Sequence, residues 1–258
     1  MDALPVEIIL AIGSHVSDVD DRLRLLQVCR RWRALFLEVA YSHVNIEGPQ
    51  IQPLTKVILA NPRIGPAIRD LLVGWWHSYI DDPPQQRESD DNLLETAEEL
   101  ARQISRSPEE QKDWIKNLQT GNQDAWLALL LALVLNLTTL SREYCADAPR
   151  VTLVITRAAC EEPLFDTRPA LQWLETYIIS NNIKNIYPHW QFLLFFHLPL
   201  LRDVDLGSVK EVREWGRLDH PAVSSASSTA PMESLVLESY CNGRNGMAEI
   251  ITSCANLK

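Results

Sequence analysis

A chain of 258 residues is longer than one small domain requires, so a minor domain followed by a larger one is the natural expectation. With 46% hydrophobic and 22% charged residues it has the composition of an ordinary folded protein, which excludes wholesale disorder. Its formal charge of -10, without any Lys/Arg-rich run, excludes the electrostatic footprint that nucleic-acid phosphates demand.

The first apolar residues fall at Leu4, Ile8, Ile12 and Val16, a spacing of four that predicts a helix with one apolar stripe, Pro5 being suited to its first turn. Ser17-Asp18-Val19-Asp20-Asp21 reads as a stop and a fresh start, because Ser or Asp caps exposed amides and acids favour a helix N-terminus. Leu25, Val28, Cys29, Trp32, Leu35, Phe36 and Val39 then recur at three and four, predicting two or three short helices in all. Val44 and Ile46 alternate with polar residues before Gly48-Pro49.

The remainder is modular. Four short pieces share the form apolar-polar-x-apolar-x-apolar and predict strands: Ile68 to Val73, Leu137 to Leu140, Leu201 to Leu206, and Met232 to Leu237; the second is incomplete, since Arg142 breaks its last position. Apolar runs from Trp126 to Leu135, Trp190 to Leu198 and Met247 to Ile251 lead into strands as helices. Val151-Thr152-Leu153-Val154-Ile155 is β-branched and predicts an additional strand within the long interval between Leu137 and Leu201. Leu93, Leu94, Ala97, Leu100, Ala101 and Ile104 mark an amphipathic helix in an insertion near residues 88 to 118. It lies in an acidic stretch, Asp81 to Asp113, with 11 acidic and 4 basic residues. Asp81 to Gln86 and Leu218 to Pro231 read as loops. A fifth strand begins at Leu257-Lys258, so the chain is expected to lack its last repeats and cap.

Chemistry-bearing patterns are sparse. Cys29, Cys145, Cys160, Cys241 and Cys254 are odd in number and scattered, with no Cys/His pair at metal-ligand spacing, which fits buried small hydrophobes in a reducing compartment. His189 and His197 lack a third ligand, and Asp81-Asp82, Asp90-Asp91 and Glu98-Glu99 read as solvated faces. GxSxG, glycine-rich phosphate loops and HExxH do not occur. No enzymatic activity, metal, cofactor or small-molecule substrate is expected. Met1-Asp2-Ala3-Leu4-Pro5 has no basic n-region, and the longest apolar run, Ala125 to Leu135, is too short to span a bilayer. The expectation is a soluble cytoplasmic or nuclear protein with neither membrane nor nucleic acid as partner.

Leu4-Pro5-x-Glu7-Ile8-Ile9, then Ile12 and Val16, an acidic gap, and Val28-Cys29-Arg30-Arg31-Trp32-Arg33-x-Leu35 resemble the F-box, and the whole is similar to F-box proteins of fungal type with degenerate leucine-rich repeats. The resemblance spans roughly Leu4 to Val44, and Gly13 departs from it, since the family more often has a bulky residue there. It implies an α+β or α/β fold: a three-helix F-box over 1–47, then an irregular leucine-rich-repeat-like solenoid with a helical insertion over 48–258. It also implies a substrate receptor of a ubiquitin ligase, with proteasomal degradation of an unknown protein target. A Skp-type adaptor, and through it a cullin, would be bound by Leu4, Pro5, Ile8, Ile9, Ile12, Leu25, Val28, Cys29 and Trp32. Which of these face the adaptor and which the bundle's own core, periodicity leaves open. By strand alternation, Asp70, Leu72, Thr139, Asp203, Asp205, Ser234 and Val236 would face a target, and their acids and small polar groups suit a basic segment. A scaffold of the leucine-rich type without a ligase role, or a helical hairpin merely packed on the next domain, fits the same residues. A hydrolase with a degenerate active site is a third reading, with no convergent groups to support it.

Overall fold

The computed structural model describes residues 5–16, 18–77, 91–143, 145, 148–180, 187–188, 194–210 and 231–239. Three helices open the chain: α1 (Val6–Ser14), α2 (Val19–Val28) and α3 (Arg30–Tyr41). Asp18 caps α2 by accepting the Asp21 amide at 3.1 Å. Cys29 is fully extended, φ -163°, and separates α2 from α3. The bundle is tied by its arginines: Arg22 Nε donates to the Val16 carbonyl at 2.7 Å, and Arg33 Nε to that of Leu26 at 3.3 Å. Leu37 on α3 enters the main core of the following sheet, so bundle and sheet share apolar packing.

The sheet is built from β1 (His43–Ile46), β2 (Asp70–Val73), β3 (Thr139–Glu143), β4 (Thr176–Ser180), β5 (Tyr187–Pro188), β6 (Asp203–Lys210) and β7 (Ser234–Ser239). All described pairings are parallel, and β1, β2, β3, β4, β6 and β7 lie side by side in chain order. β5 pairs with the far end of β6. One turn geometry repeats at every step. Two successive amides donate to a single carbonyl of the preceding unit: Arg69 and Asp70 to Ser42, Thr138 and Thr139 to Arg69, Glu175 and Thr176 to Thr138, Arg202 and Asp203 to Glu175, Glu233 and Ser234 to Arg202. Just before each pair sits a fully enclosed apolar anchor: Ile68, Leu137, Leu174, Leu201 or Met232.

The return segments form a second layer in the same order. α4 (Gly48–Ala60) packs on α7 (Gln123–Leu133), α7 on α8 (Pro149–Ala159), and α8 on a short 3-10 turn, Leu194–His197. α5 (Asp91–Ile104) and α6 (Pro108–Gln119) lie outside this layer, against α4 and α7. α7 is thus covered on both sides, and every residue from Asp124 to Ala132 is buried, which explains its nearly continuous apolar sequence. α5 and α6 are clamped to α8 by Arg157, itself buried, which donates to the Ile104 carbonyl and to both Glu110 oxygens at 2.9 and 3.0 Å.

The first of the four pieces predicted as strands contains β2 and the others overlap β3, β6 and β7, which run on past the predicted ends; the insertion is helical as expected. Val151 to Ile155 is not a strand but part of α8. Its helix is imposed from outside: Pro149 occupies the first turn, and the buried Asp124 carboxylate accepts the Arg150 and Val151 amides, each at 3.0 Å. Val151, Val154, Ile155 and Ala158 then form the inward stripe, so packing overrides β-branched propensity. The additional strand is β4, whose Leu174-Glu175-Thr176-Tyr177 repeats the pattern of the other four. Of the lead-in from Trp190 to Leu198, only the 3-10 turn and the buried Leu198 after it are described. The lead-in at Met247 to Ile251, the strand at Leu257 and the loops Asp81 to Gln86 and Leu218 to Ala230 lie outside the described residues.

Candidate functional site

Two surfaces gather the residues singled out by sequence. The first is on α1. Ile9 is 1% exposed and Gly13 is buried, one turn apart, and this stripe faces α3. Ile8 and Ile12, 48% and 49% exposed, form a neighbouring stripe that is turned outward together with exposed Pro5. Val28 at the end of α2 is 57% exposed and Cys29 is exposed, whereas Leu25 and Trp32 are half-buried. Leu4 lies outside the described residues. The structure therefore divides the predicted adaptor set: Ile9 packs inside the bundle, and Pro5, Ile8, Ile12, Val28 and Cys29 face outward. Bulky apolar side chains standing in water at consecutive turns of a short helix leave the hydrophobic driving force for docking unspent.

Gly13 makes this division possible. A Cβ at Gly13 would overlap the Phe36 ring, so α1 approaches α3 at glycine-limited distance. Phe36 in turn packs edge-on against Trp32, ring centres 5.2 Å apart. The departure at Gly13 thus tightens the bundle. Gly13→Leu is expected to lower stability by about 1–3 kcal/mol through overpacking. In a Phe36→Ala background the same change should cost less, since the ring it meets is gone, as read by a double-mutant cycle under urea denaturation; a Gly13→Leu chain as stable as wild type would show that the two helices do not need the close approach.

The second surface is the sheet face away from the helices. Parallel register aligns its outward residues in two ladders. One runs His43, Asp70, Thr139, Thr176, Asp203, Ser234; the next runs Asn45, Leu72, Ser141, Ile178, Asp205, Val236. Of the inward positions between them, Leu71, Leu140, Tyr177 and Val204 are buried, and Val44 and Leu235 on the outer strands are half-buried. All seven residues expected on a target-facing surface fall in these ladders, and Leu72 and Val236 are 42% and 50% exposed. Sequence reasoning missed His43, whose Nε2 lies 2.9 Å from Asp70 Oδ2, and the β4 positions Thr176 and Ile178. It also missed the edge formed by Glu47, Gly74 and Glu143. Without a side chain at Gly74, the Glu47 carboxylate lies directly over that backbone, where a Cβ would come within 2.7 Å of Cδ. Burial first, and then the Glu47 charge, push the Glu143 carboxyl up. Beside this edge Trp75 is 60% exposed, while Trp76 is buried and donates Nε1 to the Glu143 carbonyl at 2.8 Å.

Among the described residues, the groups considered for catalysis do not converge. Burial holds the half-buried His197 imidazole below its ordinary range, and His189 lies outside the described residues. Glu98 and Glu99 both engage Arg102, at 3.2 and 3.1 Å, and that contact lowers the Glu99 carboxyl. Asp81, Asp82 and Asp90 are not described. A groove of about 680 Å³ opens between α4, α5 and α7, lined by Ile58, Leu100 and Leu133 with Glu99, Arg102 and Arg168 at its margins; it contains none of the predicted site residues. Among the described residues no helix is long and apolar enough to cross a membrane.

Residues 1–46 match a family model described as F-box-like. The match covers the three-helix bundle and β1, under a fifth of the chain, and supports an F-box protein, a type whose domain typically binds Skp-type adaptors. Comparison with curated proteins gave no match.

Proposed function

We propose that the chain is the substrate-receptor subunit of a Skp-cullin-F-box ubiquitin ligase, docking the Skp-type adaptor through α1 and the end of α2 and a protein target through the outer sheet face. The observation that carries this reading is the outward stripe of Pro5, Ile8 and Ile12 on a bundle matched as F-box-like, with Ile9 supplying the internal packing instead. A bundle of this size buries too little surface to stand alone, and both the sheet behind α3 and a partner on α1 offset that deficit. The repeated turn geometry, chain-order strands and single apolar anchor per unit support reading the remainder as degenerate leucine-rich repeats, a solenoid whose strand face is available for recognition. The mechanism is positional. One surface holds the ligase and the other a target, so the local concentration of the charged ligase at target lysines rises, and no side chain of this chain breaks a bond.

The test is capture of purified Skp-type adaptor by the full chain. Wild type is expected to bind, and Ile8→Asp with Ile12→Asp to weaken binding about 30-fold or more, because two anchors at the contact centre become unpaired charges. Both positions face solvent, so the helical circular-dichroism signal should not change. Absence of wild-type binding would leave a non-ligase scaffold, and undiminished binding by the double variant would remove this face from the reading.

A further inference from the structure

The outer sheet face has a chemistry of its own. Neither ladder contains a lysine or arginine. The fixed charges on them are Asp70, Asp203 and Asp205, and Glu47 and Glu143 stand at the adjoining edge over Gly74. His43 sits on Asp70, at one end of its ladder, and the ladder neighbours of Asp203 are the uncharged Thr176 and Ser234. Asp203 and Asp205 share one strand and Glu47 and Glu143 one edge; like charges set this close repel one another, and a fold that gathers them on an open face lowers its energy when an opposite charge arrives. Phosphate-bearing partners are disfavoured on such a face. The exposed apolar side chains Leu72 and Val236 are set four strand steps apart in one ladder, with Ile178 midway. At about 4.8 Å per step they are roughly 19 Å apart, the span of about six extended residues.

We infer that this face takes a basic, extended segment of the target chain, lying across the strands with lysine or arginine side chains over Glu47 and Glu143 and over Asp203 and Asp205, and apolar side chains against Leu72 and Val236. The inference deepens the receptor reading, on which it rests, by naming the kind of segment bound.

Panning a random twelve-residue peptide display library on the intact chain tests it. Selected peptides are expected to be enriched in lysine and arginine. A synthetic peptide from that pool should bind at least tenfold more weakly to the chain carrying Glu143→Gln, Asp203→Asn and Asp205→Asn, and more weakly in 500 mM than in 50 mM salt. Should the triple variant lose its fold, the single change at exposed Asp203 is expected to cost about threefold. Selection of no peptide, of peptides without basic enrichment, or of peptides whose affinity ignores these changes would overturn the inference. The triple variant should still capture the adaptor like wild type. A wild-type chain that selects basic peptides but does not capture the adaptor would refute the ligase reading while leaving this one standing.

Discussion

Asp124→Ala is expected to lower the stability of the chain by about 3–5 kcal/mol, the range for removing one partner of a buried charged contact. The Asp124 side chain is fully enclosed at the start of α7 and serves a different helix from its own. One oxygen accepts the Val151 amide at 3.0 Å; the other accepts the Arg150 amide at 3.0 Å and the Arg150 guanidinium at 3.2 Å. Burial pushes this carboxyl up, against the two amides and the guanidinium, which pull it down. Truncation would orphan two amides at the first turn of α8 and take away the enclosed counter-charge of Arg150. At this chain length the loss corresponds to a melting temperature lower by roughly 10 °C. Asp113 also pairs with Arg150 but is 63% exposed, so Asp113→Ala should cost less than about 1 kcal/mol. Urea denaturation of the three chains checks the contrast; equal losses for the two variants would mean that Asp124 acts only as a surface charge.

The same contact shows why one part of the fold escaped the sequence. The pattern of Ile68 to Val73, Leu137 to Leu140, Leu201 to Leu206 and Met232 to Leu237 identifies strands because each anchor is buried by the unit itself, a local cause that leaves a local trace. Leu174 to Ile179 has the same trace, but Val151 to Ile155 competes for the interval with higher β-branched content. What makes 149–159 a helix is a carboxylate from another helix, 26 residues before Arg150, and no local pattern encodes it. On α1 the four-residue spacing of Ile8 and Ile12 is legible, yet spacing alone does not say which stripe faces inward. That is decided by Gly13 meeting the Phe36 ring, a contact between helices. The outer ladders were legible through alternation. The Glu47–Gly74–Glu143 edge was not, because it depends on a missing side chain just past the end of β2 making room for a carboxylate that follows β1.

Arg142, the residue that interrupts the apolar pattern of β3, leads to a prediction of opposite signs. It points inward in register with Val73 and Ile179 and is 5% exposed. Its Nε donates to the Tyr177 hydroxyl at 2.9 Å, and its Nη1 has no hydrogen-bond partner. Tyr177 is fully enclosed and stacked on Phe195 at 3.9 Å, so its ring is fixed and its hydroxyl is placed for the arginine. Tyr177→Phe preserves the stacking and removes only the acceptor, leaving a second guanidinium donor unpaired; a cost of about 1.5–3 kcal/mol is expected. Arg142→Met removes the buried cation while filling a similar volume, and is expected to be neutral or stabilising by about 1–4 kcal/mol. In the Arg142→Met background, Tyr177→Phe should cost less than about 1 kcal/mol, since a tyrosine hydroxyl without its donor contributes little there. A double-mutant cycle by urea denaturation measures that difference. If Tyr177→Phe costs the same with and without Arg142, the hydroxyl is held by some other group, and β3 does not rely on the pair to keep Ser141 and Glu143 turned outward.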